Sequence, residues 1–215
     1  LMGTNTVFDP AMFDCPVIDD AFKAQQGEIS WQLKIKRRGQ ISTATYAFNP
    51  LDAVGWHGSL CPVRINWRDL RPVMSHRMHM PISAHTTFVA DRFVVCTFVP
   101  RPLIESDPEL VRVPAFHSND EMDEIAFYHS GSFIHREDLA EAMLTHLPSG
   151  YIHGPAPDMM KNASPSTGVE TNTWIDGVAI SIDTRDGMTA KNIPDELERI
   201  DWHLAWQAPA AKAAE

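Results

Sequence analysis

The residues His117-Ser118-Asn119-Asp120-Glu121-Met122-Asp123-Glu124 and, further on, Pro148-Ser149-Gly150-Tyr151-Ile152-His153 decide how the chain folds. The first stretch sets an imidazole seven positions before a carboxylate, and the second ends on another imidazole behind a turn. Seven residues of straight strand would separate His117 from Glu124 by about 23 Å, and two turns of helix by about 10 Å, so neither lets both side chains reach one ion. A reversal through Ser118-Asn119-Asp120, residue types that favour turns, would put them on facing strands and point both the same way. His153 would then enter on a neighbouring strand after the turn at Pro148 to Gly150. Two imidazoles and one carboxylate on one face leave up to about three coordination positions open, the arrangement with which non-haem Fe(II) holds a substrate and O₂ side by side.

The surrounding chain supports a β framework for these residues. Ile29 to Ile35 and Ile41 to Ala47 alternate on either side of Arg37-Arg38-Gly39, which predicts a hairpin. Thr86 to Ala90 and Phe93 to Val99 are β-branched and aromatic runs split by Asp91-Arg92, and predict paired strands. Ile125 to Tyr128, Ser132 to His135, Tyr151 to His153 and Val178 to Ile182 are further short apolar runs bounded by Gly, Pro or Asp. Helical signals are confined to Glu137 to Leu144 and to the segment from Pro194, where early acidic residues precede Ile200 and Leu204. Many short strands with little helix predict an all-β barrel or jelly roll. The ligand spacing agrees: His117-x-Asn119, with Glu124 and Gly131 following, resembles the first cupin signature with Asn in place of its second His, and Pro148-x-Gly150-x-x-His153 resembles the second. The expected fold is therefore a cupin, a double-stranded β-helix jelly roll, with a short C-terminal helix.

Composition narrows the function. The 215 residues are 44% apolar and 21% charged, enough for a substantial core without staples. Eighteen basic against 28 acidic residues give a net charge of -10, which disfavours a nucleic-acid partner. No run approaches the roughly 20 apolar residues of a membrane span, and the residues from Leu1 onward lack the basic-then-apolar order of a signal peptide. Cys15, Cys61 and Cys96 are odd in number and far apart, so reduced thiols and a cytoplasmic location are expected. Five of the ten histidines, His117, His129, His135, His146 and His153, crowd into 37 residues together with Asp120, Glu121, Asp123 and Glu124. Imidazole and carboxylate without cysteine favour iron, manganese or a similar ion over structural zinc. His129 and His135 are read as ordinary surface or core histidines. Arg101 either faces a carboxylate or supports its turn.

Several further blocks are similar to the homogentisate 1,2-dioxygenase family, in particular to bacterial members with the longer His-x-Asn-x4-Glu loop. They are Trp56-His57-Gly58, Phe98-Val99-Pro100-Arg101-Pro102, Val113-Pro114-Ala115-Phe116-His117 and His153-Gly154-Pro155. Phe8-Asp9-Pro10-Ala11-Met12-Phe13 and the turn at Arg37 to Gly39 resemble the end of that family's amino-terminal β domain. The resemblance runs from near residue 1 to about residue 186. It implies the tail of an N-terminal β domain over residues 1–45, an iron-binding catalytic domain over 46–207 and a disordered tail over 208–215. The start at Leu1 without a capped element adds the expectation that the chain is part of a longer protein, with exposed strand edges near residues 1–45.

What the resemblance implies chemically is Fe(II)-dependent opening of a hydroquinone-type ring with O₂, in tyrosine and phenylalanine catabolism, to a maleylacetoacetate-type product. Matched residue by residue, His117, Glu124 and His153 fall on the metal ligands and His57 on the histidine that moves the substrate hydroxyl proton. A homo-oligomer is implied for the full-length protein. The departures touch the pocket: the family's tyrosines two residues before the first ligand and nine after the carboxylate are Ala115 and Phe133 here. Its substrate-side histidine would fall at Leu147, with His146 adjacent, so His146 is the candidate substrate contact. A one-residue shift in a strand turns a side chain to the opposite face. Two other uses of the same ligands stay open, a redox-neutral metal-dependent cupin isomerase or hydrolase and a non-catalytic cupin that binds a small aromatic.

Overall fold

The computed structural model describes residues 9–27, 30–50, 62–75, 80–104, 117–133, 139–154 and 172–206. Residues 9–66 and residues 67–215 form two compact units. Their strands are antiparallel throughout, and helix is scarce. No described helix is long and apolar enough to cross a membrane.

In the first unit the expected hairpin forms from β1 (Trp31–Arg37) and β2 (Gln40–Tyr46). Arg37 pairs with Gln40, and the two residues between them, Arg38 and Gly39, both take positive φ, 51° and 74°. Two left-handed residues make the hairpin turn whose twist matches that of its strands. A single helical turn and a half, α1 (Asp20–Gln25), was not legible in the apolar pattern and buries no residue. Its start is a capping effect: the Asp19 carboxylate accepts from the Phe22 amide at 2.8 Å. Asp14 and Arg64 bridge by two backbone hydrogen bonds, Asp14 N to Arg64 O at 2.7 Å and the reverse at 2.9 Å.

The second unit is built on a five-stranded sheet in the order β3-β4-β9-β6-β7, with β3 (Thr86–Val89), β4 (Phe93–Phe98), β6 (Asp123–Ser130), β7 (Leu144–Leu147) and β9 (Val178–Thr184). A separate pair joins β5 (Arg101–Ile104) to β8 (Asn172–Ile175). Register sorts the residues into two faces. Val94, Asp183, Glu124 and Leu147 form one cross-strand row, and Cys96, Ser181, Ala126 and Thr145 form the next row on that face. The latter row is buried from end to end, as is Thr86 opposite Cys96. Between these rows lies the opposite face, where Ile182 pairs with Ile125 and Ile125 with His146.

Four expected segments differ, the first being the helix expected over 137–144, whose described residues make a turn at 141–142 before Leu144 opens β7. Ser132 and Phe133 are not in a strand, and His153 makes only an isolated bridge, because both follow turns that the five-stranded sheet does not extend into. The helix expected from Pro194 is a turn at residues 195–197 followed by a 3₁₀ segment, Trp202–Trp206. Leu197 and Ile200 are exposed, so no packed face rewards a continuous helix there.

The loop after β6 is locked to the loop between β8 and β9. The Asp176 carboxylate accepts from the Ser132 hydroxyl at 2.6 Å and from the Ser132 amide at 2.8 Å, and these bonds hold its carboxyl below the usual range. A depressed value in the folded chain stabilises it above the ordinary aspartate pKa, and that stabilisation is lost as pH falls through the folded value. Denaturant midpoints are therefore expected to fall as pH drops below about 4, and Asp176→Asn should flatten that fall.

Candidate metal centre

His117 and His153 are brought together by the isolated bridge, in which each amide donates to the other's carbonyl at 2.9 Å. Their rings lie 4.3 Å apart between centroids at 61°. The reversal that follows His117 has the chemistry expected of it. The Asn119 side-chain oxygen accepts from the Glu121 and Met122 amides at 3.2 Å each, and the Ser118 hydroxyl donates to Asp120 at 3.0 Å. The Asn119 carbonyl accepts from the Gly150 amide at 2.9 Å, tying this turn to the one that delivers His153. Chain direction then carries Glu124 back along β6, and its Oε2 lies 3.8 Å from His153 Nε2.

The His153 ring is oriented by its own loop. Nδ1 is 3.0 Å from the Tyr151 carbonyl, which can only accept, so the proton sits on Nδ1 and Nε2 carries the free electron pair. That Nε2 atom is buried and has no hydrogen-bond partner among the described residues. Burial, with the nearby His117, lowers the His153 pKa and favours the neutral form that binds metals. Glu124 is pushed up to about 7 by burial and then by the charge of Asp183, its cross-strand neighbour. Asp183 is also raised by burial. Among the described residues neither carboxyl pairs with a lysine or arginine. Two facing acids, a lone pair with no donor and a second imidazole make a site short of positive charge, and this donor set fits a divalent ion. Among the described residues no group of three His, Cys, Asp or Glu side chains closes into ligating geometry.

His146 is not brought to these three. It pairs with Ile125 across the sheet and so occupies the face opposite Glu124, where its Nε2 meets Asp123 Oδ2 at 3.3 Å. The physical reason is strand periodicity: Leu147 is the residue opposite Glu124, and the neighbouring position must point away. Asp123 is fully committed on that face, accepting also from the Met188 amide at 2.7 Å and the Ser149 amide at 2.9 Å. His57 lies outside the described residues, as do His135 and Ala115. Phe133 packs edge-on against Tyr128, centroids 4.7 Å apart, and the Tyr128 hydroxyl is 3.3 Å from that of Thr145.

Three residues of this face were not singled out as site residues. Asp183 and Ser181 sit on β9 with Ser181 donating to Asp183 at 3.2 Å, and Cys96 is a buried thiol pushed up to about 11 by burial. Their signal was the alternation in Val178-Ala179-Ile180-Ser181-Ile182-Asp183, in which polar residues share the period of the alanine, but no spacing motif marks them.

Comparison with known proteins places this geometry in context. Residues 1–67 match the family model described as homogentisate 1,2-dioxygenase N-terminal, and the second compact unit resumes at Trp67. A protein of Saccharolobus solfataricus named "Putative dioxygenase" is 34% identical over 177 residues, which is 82% of this chain and 44% of that protein. The chain thus spans less than half the length of this curated relative. It is similar to homogentisate 1,2-dioxygenases over its first 67 residues and to a protein named as a dioxygenase over four-fifths of its length.

Proposed function

We propose that the chain is the iron-binding part of a non-haem Fe(II) ring-cleaving dioxygenase of the homogentisate 1,2-dioxygenase type, folded as a cupin jelly roll. The observation that supports this reading is a pair of neighbouring contacts, His117 beside His153 and the buried His153 Nε2 3.8 Å from the Glu124 carboxylate. Similarity to a homogentisate 1,2-dioxygenase N-terminal model and to a protein named as a dioxygenase supports an oxygen-using reading over a redox-neutral isomerase. His117, Glu124 and His153 would hold the ion, which when bound supplies charge to draw a phenolate and O₂ together.

The remaining chemistry belongs to the protein. Tyr151 holds His153 in the tautomer that presents Nε2, and the paired turns at Asn119 and Gly150 fix the separation of the two histidines. Asp183 faces Glu124 and sets the electrostatic demand for a cation. The proton-transfer role of His57 rests on its Trp56-His57-Gly58 block alone. Since Phe133 stands where the family carries a tyrosine, a substituted hydroquinone or carboxylated relative of homogentisate is the proposed substrate class. The test is oxygen uptake by anaerobically iron-loaded protein. Consumption coupled to loss of homogentisate or a substituted hydroquinone is expected, and no consumption with any of them would remove the enzymatic reading. Turnover retained under strict anoxia with zinc or manganese would instead select the isomerase or hydrolase.

A further inference from the structure

Two consecutive amides hold the turn that delivers His153. The Tyr151 amide closes that turn on the Pro148 carbonyl at 3.0 Å. Ser149 keeps a negative φ at its second position and Gly150 takes 79° at its third, which makes it a type II turn. The Gly150 amide donates to the Asn119 carbonyl at 2.9 Å, two residues beyond His117. The amide before it, that of Ser149, donates to Asp123 Oδ1 at 2.9 Å, one residue before Glu124. One amide therefore ties the turn of His153 to the segment of the first candidate ligand, and its neighbour ties it to the strand of the second. Of the two ties, only the one to Asp123 is made by a side chain.

Asp123 is held in one orientation. It is 7% exposed and precedes Glu124 on β6, so its side chain occupies the opposite face of the sheet and does not itself meet an ion beside Glu124. Its Oδ2 accepts from the Met188 amide at 2.7 Å and lies 3.3 Å from His146 Nε2. Three donors thus converge on two oxygens, and an asparagine in this place would set its NH₂ group against at least one of them. We propose that Asp123 is a positioning residue of the metal centre: from the far face of the sheet it fixes the turn that delivers His153 relative to the strand that carries Glu124, with His146 as its orienting partner. This rests on the reading of His117, Glu124 and His153 as the ligands. Groups that act on a metal only by orienting its ligands contribute about 10–100-fold in affinity.

The test removes the bond while leaving the carboxylate in place. Proline is favoured at the second position of a type II turn, so Ser149→Pro suits the backbone and deletes the amide donor, whereas Ser149→Ala loses the hydroxyl and keeps the amide. The metal-free 215-residue wild type, these two variants and Asp123→Asn are titrated with Co(II), followed by its visible absorption, and the apo-proteins are melted in parallel. Ser149→Pro is expected to bind Co(II) at least about ten-fold more weakly than Ser149→Ala, although the apo-proteins of the two melt within a few degrees of each other. Asp123→Asn should lose at least as much affinity as Ser149→Pro. Should either of these two fail to fold, the other decides by the same comparison. Equal Co(II) affinity in Ser149→Pro and Ser149→Ala, or in Asp123→Asn and the wild type, would overturn the inference, and so would a wild type that takes up no Co(II). Because no aromatic compound or oxygen enters this assay, equal affinities among metal-binding variants leave the ring-cleaving reading standing. Proteins that show the expected order of affinities yet consume no oxygen keep the inference and lose that reading.

Discussion

Glu124→Gln is expected to abolish stoichiometric iron binding and to lower oxygen-dependent turnover by more than about 100-fold, beyond the 10–100-fold typical of groups that only support a ligand. Amide nitrogen and oxygen replace carboxylate oxygens at nearly constant volume, so the loss would be of charge and ligand strength rather than of packing. The companion expectation separates a ligand from a structural acid. Glu124 faces Asp183 with burial raising both, so removing one of the two acids should leave the metal-free chain at least as stable as before. Metal analysis of anaerobically purified wild type and variant, with thermal melts of both apo-proteins, checks the pair of outcomes. Iron bound equally by both would remove Glu124 from the ligand set, and a large drop in apo-stability would make it a structural residue.

Gly131→Ala is expected to be the most destabilising single methyl addition in the described chain, by about 3–5 kcal/mol, or roughly 10 °C in Tm. Gly131 follows β6 with φ of 81°, in the left-handed region that an L side chain rarely adopts. A Cβ there would also stand 2.7 Å from the Asp176 carbonyl carbon and nearer still to its oxygen. Backbone cannot step aside as a flexible side chain can. The same approach seen from the other strand puts a Cβ at Gly177 within 2.5 Å of the Ser132 carbonyl oxygen. Gly150 is the internal control, with φ of 79° and open space around the added carbon, so Gly150→Ala should cost only about 1–2 kcal/mol. Denaturant titration of the three proteins isolates the contact from the backbone angle. Equal losses at Gly131 and Gly150 would show that the two loops separate readily.

This close approach bears on the metal centre through β6 itself. The loops that meet at Gly131 and Gly177 flank β6 and β9, the strands that carry Glu124 and Asp183. Their pairing has an irregular register between Tyr128 and Ser130, which lets the chain turn away into the Gly131 loop without breaking the row at Glu124. A variant that loosens the loops is therefore expected to weaken iron retention more than it weakens the β1–β2 hairpin.

Much of the framework was legible before the structure because its signals are local. Alternation over Trp31 to Arg37 and Gln40 to Tyr46 and a glycine that accepts positive φ are enough to specify a hairpin. β3, β4, β6 and β9 lie where β-branched and aromatic runs are bounded by turn residues. The turn between His117 and Glu124 was likewise legible, because Ser118-Asn119-Asp120 are residue types that cap a reversal with their own side chains. α1 was missed because it buries no residue, and a helix without an apolar face leaves no period to read; the end at Trp202–Trp206 was misjudged as helix from a pattern whose Leu197, Ile200 and Leu204 are exposed.

By itself, then, the order of residues determined that the framework is mostly β and where β1, β2, β3, β4, β6 and β9 lie, and it named His117, Glu124 and His153 as candidates to share an ion. Tertiary structure decided which way each neighbouring side chain faces. His146 and Leu147 are equally plausible from spacing, but pairing with Ile125 and Glu124 sends one away from the row of Glu124 and the other into it. Asp183 gained meaning only when sheet register set it opposite Glu124. Register is settled by contacts between strands far apart in sequence, and because side chains alternate with a period of two, a shift of a single residue would have reversed every one of these assignments.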